Sequence, residues 1–215
     1  MTKVKYSTAI ISILIFISFF MAAYLYPYFP QSVASHWNVN GQVDGYMPKF
    51  WGLFLMPLIS IVMMVLFILL PKIDPLKKNI QKFQKYYDGF IVLIVLYLFY
   101  IYSLTIVWQA GFQFNMMRAL APAFGVLFIY IGIMLKHTKR NWFIGIRTPW
   151  TMSNDTVWKK THELGAKLFI ASGILSLFGI LFPYQAILLV LAPIIISCIY
   201  IIIYSYMEFK RIEKK

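Results

Sequence analysis

Long, continuous apolar runs alternate with short polar segments along the whole chain. Six of these runs are long enough for an α-helix to cross the hydrocarbon core of a bilayer, which takes about 20 residues. Transmembrane strands would instead alternate apolar and polar positions, and these runs do not alternate. We therefore predict an all-α, polytopic membrane protein. The six predicted spans are Ser7–Tyr26, Phe50–Leu70, Gly89–Ala110, Ala119–Leu135, Lys167–Phe182 and Ala186–Tyr206.

The predicted spans contain no Asp, Glu or His residue. Ionisable groups inside a bilayer are costly and usually mark proton or ion pathways. Their absence argues against a proton-coupled pump, but it leaves a differently driven solute carrier or a lipid-handling protein open. Pro57, Pro122 and Pro193 fall inside three spans, where proline either breaks a helix to form a transport site or is an ordinary residue of membrane helices.

The charge distribution predicts how the spans are oriented. Apolar residues make up 61% of the chain and charged residues only 13%, yet the net charge is +13. In the six-span topology, Lys49 and Arg118 alone among the 20 basic residues fall on the opposite side from the others. This asymmetry satisfies the positive-inside rule with both termini in the cytoplasm. We therefore expect membrane lipids, and not nucleic acid, to be the direct partners of the basic segments.

One outward segment is long, and it lies between the first two spans at residues 28–51. Its core, "HWNVNGQVDGYMPKFW", contains the turn dipeptides Asn40-Gly41 and Asp44-Gly45, which favour a compact folded loop because Gly accepts positive φ. His36 and Asp44 could each ligate a metal, but a zinc site needs at least three protein ligands. We predict no metal site, and a turn-rich structural loop and a binding surface for an external partner both remain open.

The chemically most varied segment, "GIRTPWTMSNDTVWKKTH" at residues 145–162, joins the fourth and fifth spans. Up to Met152 its Gly, Pro and β-branched residues predict a non-helical connection. From Ser153 or Asn154, a capping side chain followed by Asp155 predicts the start of a helix that continues into the fifth span. Trp142, Trp150 and Trp158 suit an interfacial position at the lipid headgroups.

Two interpretations of this segment remain open on physical grounds. A membrane-hugging amphipathic connector would account for its Trp and Lys residues. It does not account for Asn141, Arg147, Thr151, Thr161 and His162, which need hydrogen-bond partners in one another or in a ligand. A catalytic set is not favoured, because His162 and its polar neighbours define no reaction class. We predict that the protein is not an enzyme and needs no cofactor.

The inner stretch "NWFIGIRTPWTMSNDTVWKKTHELGAKLF" resembles the signature of the SdpI family of bacterial multi-pass membrane proteins. The outer "HWNVNGQVDGYMPK" is similar to a domain of unknown function that often forms the N-terminal half of these proteins. Together they suggest a two-helix unit with a structured outer loop at residues 1–70 and a four-helix unit at residues 71–215. The resemblance places the cytoplasmic binding residues at Asn141, Gly145, Arg147, Thr148, Pro149, Trp150, Thr151, Trp158, Thr161, His162 and Gly165. The outer candidates are His36, Asn40, Gly41, Asp44, Gly45 and Lys49.

The resemblance also implies a function in the cell membrane. Its expected partners are an external peptide toxin, against which the protein gives immunity, and a soluble winged-helix repressor, which it holds at the membrane when toxin is present. The rival interpretation is a membrane transporter or lipid-handling protein with a site between its helices. Solute-dependent flux in proteoliposomes would favour that rival.

The predicted orientation can be tested by cysteine labelling in a Cys198→Ser background. Because the basic residues define the cytoplasmic side, Asn40→Cys should react with a membrane-impermeant thiol reagent added outside intact cells. Lys78→Cys and Lys160→Cys should react only after the cells are opened. Labelling of Lys78→Cys or Lys160→Cys from outside, with none of Asn40→Cys, would contradict the topology.

Overall fold

The described part of the chain consists of eight α-helices, six of them long, with two short 3-10 turns and two short strands. The computed structural model describes residues 2–214, with side chains described from Ser7 onward. The helices are α1 (Thr2–Leu25), α2 (Lys49–Ile73), α3 (Lys77–Gln81), α4 (Gln84–Gln109), α5 (Met116–His137), α6 (Pro149–Ser153), α7 (Asp155–Leu177) and α8 (Ala186–Glu213). Short 3-10 turns, Tyr26–Tyr28 and Phe178–Ile180, follow α1 and α7, and strands β1 (Ser32–Trp37) and β2 (Val43–Pro48) separate α1 from α2.

The prediction of six membrane spans is confirmed. Within residues 2–214, six helices (α1, α2, α4, α5, α7 and α8) are long and apolar enough to cross a membrane. Two of them extend well beyond the apolar runs that predicted them: α7 begins at Asp155, and α8 continues to Glu213. Polar residues outside the predicted spans, among them His162 and Glu208, therefore lie on the ends of long helices.

Prolines do not break the helices in which they occur. α2, α5 and α8 run continuously through Pro57, Pro122 and Pro193, and α2 also contains Pro71. Proline has no N–H, so the carbonyl four residues earlier loses its helical partner. The Phe67 carbonyl, freed in this way by Pro71, accepts a hydrogen bond from the Tyr87 hydroxyl at 2.9 Å. This bond ties α4 to α2.

Small residues bring α5 and α7 into close contact. A Cβ atom added at Gly173 would lie 2.6 Å from the Gly125 carbonyl oxygen, and one added at Gly132 would lie 2.7 Å from the Ala166 carbonyl oxygen. Close backbone approach of this kind stabilises helix pairs in membranes, where van der Waals packing replaces the hydrophobic effect. α8 packs against α7, whereas α1, α2 and α4 pack on one another and α4 also contacts α5. The division of the chain at residues 70 and 71 stays a prediction.

The outer loop folds as an antiparallel β-hairpin of β1 and β2. The expectation of a compact folded loop is confirmed, and the turn contains Gly41 at a φ of 75°. The expectation of a second turn at Asp44-Gly45 was wrong, because both residues lie in β2. Gly45 pairs with His36 across the hairpin, where a Cβ atom would lie 2.9 Å from the His36 Cβ. Gly45 is thus explained by cross-strand packing.

The connection between α5 and α7 contains one helical turn that the sequence did not predict. Residues 138–148 are irregular, as expected, but Pro149–Ser153 form α6. Thr148 and Thr151 cap this turn reciprocally, and Pro149 supplies a pre-set φ at its first position. The predicted helix start is confirmed, since the Asn154 side chain accepts hydrogen bonds from the first amides of α7.

The close α5–α7 contact predicts that a larger side chain on α7 destabilises the protein only where it faces α5. Gly173→Val should destabilise the protein by about 1–3 kcal/mol, because the new side chain meets the backbone of α5. Ala171→Val is the matched control, since Ala171 lies exposed on the same helix. The free energies of unfolding in detergent micelles measure the difference. Equal stability of the two variants would contradict the assigned packing.

Candidate functional site

Asn141 shapes the irregular segment at residues 138–148, here called the signature loop. The residue is fully buried. Its amide nitrogen donates to the carbonyls of Lys139 and Ile144, both at 2.8 Å. Its side-chain oxygen accepts from the amides of Phe143 and Ile144 at 3.0 and 2.6 Å. Both donors and both lone pairs are therefore used inside the loop, and none is left for a ligand.

His162 fastens the signature loop to α7. The Ile146 amide donates to His162 Nε2 at 3.0 Å, so Nδ1 carries the proton and donates to the Trp158 carbonyl at 2.8 Å. The imidazole is therefore neutral, and it stacks on the Trp158 ring with 4.0 Å between centroids. The Trp158 indole donates to the Thr138 carbonyl. Trp158 is 3% exposed, so the expectation that it anchors at the lipid interface was wrong.

Two signature glycines make room for this contact. Gly145 has a φ of 114°, a conformation that favours glycine, and a Cβ atom there would lie 2.5 Å from His162 Nε2. A Cβ atom at Gly165 would lie 2.5 Å from Ile146 Cδ1. Position 145 therefore needs glycine, whereas Gly165 leaves space for the Ile146 side chain where the signature loop lies on α7.

Buried hydroxyl groups join α6 to the loop and to α8. The Thr151 hydroxyl donates to the Ile146 carbonyl at 2.8 Å and accepts from the Thr148 amide at 2.9 Å. The Thr148 hydroxyl donates to the Ser205 hydroxyl of α8 at 3.0 Å. Thr161 differs, because its buried hydroxyl has no hydrogen-bond partner within the described part of the chain. No internal hydrogen bond explains that signature residue.

Arg147 is the signature residue whose charged group remains exposed. Its Nη1 donates to the Trp142 carbonyl, and not to Asn141, Thr151 or His162. The ion pairs found among residues 7–214 do not include Arg147. The other N–H groups of its planar guanidinium therefore remain for an external acceptor.

The remaining signature residues frame this exposed group. Pro149 is exposed at the start of α6. Trp150 is half-buried and packs on Tyr206 of α8, with 5.1 Å between ring centroids. Trp142, whose carbonyl holds Arg147, is 52% exposed. The signature loop thus presents an exposed guanidinium bonded to the backbone of a half-exposed tryptophan.

The segment between α2 and α4 supports the signature loop through residues that the sequence analysis missed. The Asp74 carboxylate is buried and accepts from the amides of Trp142 and Leu76 at 2.8 and 2.6 Å. The Asn79 side chain donates to the Arg140 carbonyl at 2.8 Å. The sequence did contain an indication of the role of Asp74, because it is the one acidic residue in the basic stretch 71–87.

Two ion pairs lie near the start of α7. Arg140 pairs with Asp155 at 2.9 Å, next to the start of that helix. Lys160 pairs with the buried carboxylate of Glu208 at 2.5 Å and so ties α7 to α8. Together with the hydroxyl contacts, these pairs fix the loop, α6, α7 and α8 as one assembly.

The outer candidates divide into structural and exposed residues. His36 Nδ1 and Asp44 Oδ1 lie 2.5 Å apart, with 70% and 44% of their side chains exposed. No third His, Cys, Asp or Glu joins them in a metal-binding group among the residues described. Lys49 is instead buried, and its ammonium lies 4.5 Å from the centre of the Tyr26 ring.

The turn of the hairpin docks on the start of α5. The Asn115 side chain donates to the Asn40 carbonyl at 3.0 Å and accepts from the Arg118 amide as the cap of α5. A Cβ atom at Gly41 would lie 2.6 Å from the Asn115 side chain. Asn40 and Gly41 therefore have a structural role, and Asn115 is a partner that the sequence analysis missed.

Comparisons with known proteins agree with both motifs. The SdpI/YfhL protein family matches residues 137–205, which include the signature loop, α6 and Ser205, and a domain of unknown function (DUF1648) matches residues 13–61. The immunity protein SdpI of Bacillus subtilis (strain 168) is 26% identical over 206 residues, which cover 95% of this chain and 97% of the relative. No solved structure matches the chain significantly. The resemblance to the SdpI family is thus confirmed: this multi-pass membrane protein contains an SdpI/YfhL region at residues 137–205 and a DUF1648 region in its N-terminal half.

Proposed function

We propose that this protein is a membrane immunity protein and receptor. It protects the cell against a secreted peptide toxin at its outer face, and it holds a soluble winged-helix repressor at its cytoplasmic face. Similarity to an immunity protein along nearly the whole chain supports the first part. The arrangement of two folded polar faces at opposite ends of α5 supports a link between them.

The exposed guanidinium of Arg147 is the observation that carries the cytoplasmic part of the proposal. Asn141, Thr151 and His162 have used their polar groups inside the loop, so they make a rigid platform and not a ligand cage. A guanidinium fork suits carboxylate or carbonyl acceptors on a partner protein. Arg and Trp are the residues most enriched where binding energy concentrates in protein interfaces. Arg147 beside Trp142 therefore fits a protein-docking surface.

The outer part of the proposal rests on His36 and Asp44. They lie exposed on a hairpin that packs on α5 through Asn40 and Asn115. A peptide bound at the exposed pair would press on or release this contact, and α5 leads from there to the signature loop. In this proposal α5 is the element through which occupancy outside changes the docking surface inside.

Protection in living cells tests the proposed function directly. Toxin-sensitive Bacillus subtilis cells without their own immunity protein should survive the secreted toxin when they express this chain. The Bacillus relative serves as the positive control at matched membrane levels. Failure of this chain to protect cells that the relative does protect would contradict the proposal, and solute-dependent flux in proteoliposomes would favour the transporter rival.

Arg147→Lys tests whether the Arg147 guanidinium binds a partner or only supplies a positive charge that orients the protein in the membrane. A lysine keeps the positive charge but not the planar fork, so loss of the charge-assisted hydrogen bonds should weaken partner recruitment about tenfold or more. Arg147→Ala should be at least as weak. Lys159→Ala is the control, since it removes one exposed basic charge from α7. Recruitment of a fluorescent repressor to the membrane is the measurement, and a fully active lysine variant would show that Arg147 serves topology alone.

Asp44→Ala tests whether the His36–Asp44 pair binds the external toxin or is needed for folding. The exposed His36–Asp44 pair contributes little to stability, about 0–1 kcal/mol. The variant should therefore accumulate normally in the membrane while its protection against toxin falls. Gly41→Val is the structural contrast, because its side chain would meet Asn115 and force a strained φ, and its folded yield should fall. If Asp44→Ala also failed to accumulate, the hairpin pair would be a folding element.

A further inference from the structure

A cleft lies apart from both signature motifs, between α1, α2, α3 and α4. It has a volume of about 520 Å³, within the range of roughly 300–1,000 Å³ that is usual for ligand pockets. It opens at the end of the bundle that the charge pattern assigns to the cytoplasm, where α2 ends and α4 begins. Neither the immunity function nor the repressor docking surface uses this cleft.

The cleft has an apolar floor and a charged rim. Ile11, Phe67 and Ile91 belong to the floor, which is part of the packed interface of α1, α2 and α4. Lys72 and Lys77 lie on the rim. Asp88 is the acidic group of the lining, and the Gln84 side chain donates to it at 2.6 Å. Two ammonium groups and one carboxylate give the rim a net charge of +1.

The surroundings of the cleft indicate which ligand can reach it. Ile68, which lines the cleft, is itself partly exposed, and Ile10 and Ile73 lie exposed on the outer surface of α1 and α2, where a bilayer would cover them. A freely soluble anion would bind the rim but would leave the apolar floor empty. A ligand that fills both parts must be anionic at one end and hydrocarbon at the other.

We propose that the cleft is a binding site for one anionic phospholipid of the cytoplasmic leaflet, of the phosphatidylglycerol class. An acyl chain lies on the floor against Phe67 and Ile68, and the phosphodiester is bound by Lys72 and Lys77. The carboxylate of Asp88 makes the site suited to a headgroup with a single negative charge. The inference does not depend on the immunity function.

Native mass spectrometry of the purified full chain in detergent tests the site. The probes are phosphatidylglycerol and phosphatidylcholine with identical acyl chains. Phosphatidylglycerol should remain bound at a higher fraction, and Lys77→Ala should lower that retention about fivefold. Lys78→Ala is the matched control, because it removes the same charge from the next residue, which does not line the cleft.

A second pair of variants tests the floor independently of charge. Ile68→Trp should fill the cleft and reduce phosphatidylglycerol retention, whereas Leu69→Trp should not, because Leu69 does not line the cleft. Equal losses for Lys77→Ala and Lys78→Ala would reduce the effect to general surface charge and overturn the proposal. Undiminished binding by Ile68→Trp, or equal retention of the two lipids, would overturn it as well.

Discussion

The hydrogen bond from the Ile146 amide to His162 Nε2 determines how the signature loop lies on α7. It requires a neutral imidazole whose other nitrogen is committed to Trp158, and it requires a glycine at position 145. Loss of the acceptor would leave the half-buried Ile146 amide without its partner, a cost at the lower end of the about 1–3 kcal/mol of a fully buried donor. The loop, the tryptophan stack and the start of α7 would then no longer be held in one arrangement.

The two ends of the molecule are built on the same plan. At each end a side-chain amide bonds to backbone groups of a polar connecting segment: Asn141 does so within the signature loop, and Asn115 does so at the turn of the hairpin. Backbone polar groups that leave regular structure near a bilayer must find partners, since the hydrocarbon offers none. Arg147 at one end, and His36 with Asp44 at the other, are exposed groups on these segments.

Local features of the chain were predictable because their causes are local. Apolar length predicts the spans, Asn154 caps the helix that it immediately precedes, and Gly41 serves its own turn. The contacts that assemble the faces were not predictable, because their partners are distant in sequence. Asp74 bonds to Trp142, and Thr148 bonds to Ser205. No periodicity or spacing connects such residues.

The polar side chains of the signature bond mainly within the protein, and this affects what the same motif implies about the function of other proteins that contain it. A motif whose polar groups bond to its own backbone determines the conformation of the loop. Loops with the same conformation can carry different exposed side chains. Two proteins with equivalents of Asn141, Gly145 and His162 can therefore have the same loop fold and still recognise unrelated partners. Partner choice would then depend on the exposed side chains that the scaffold displays, such as Trp142.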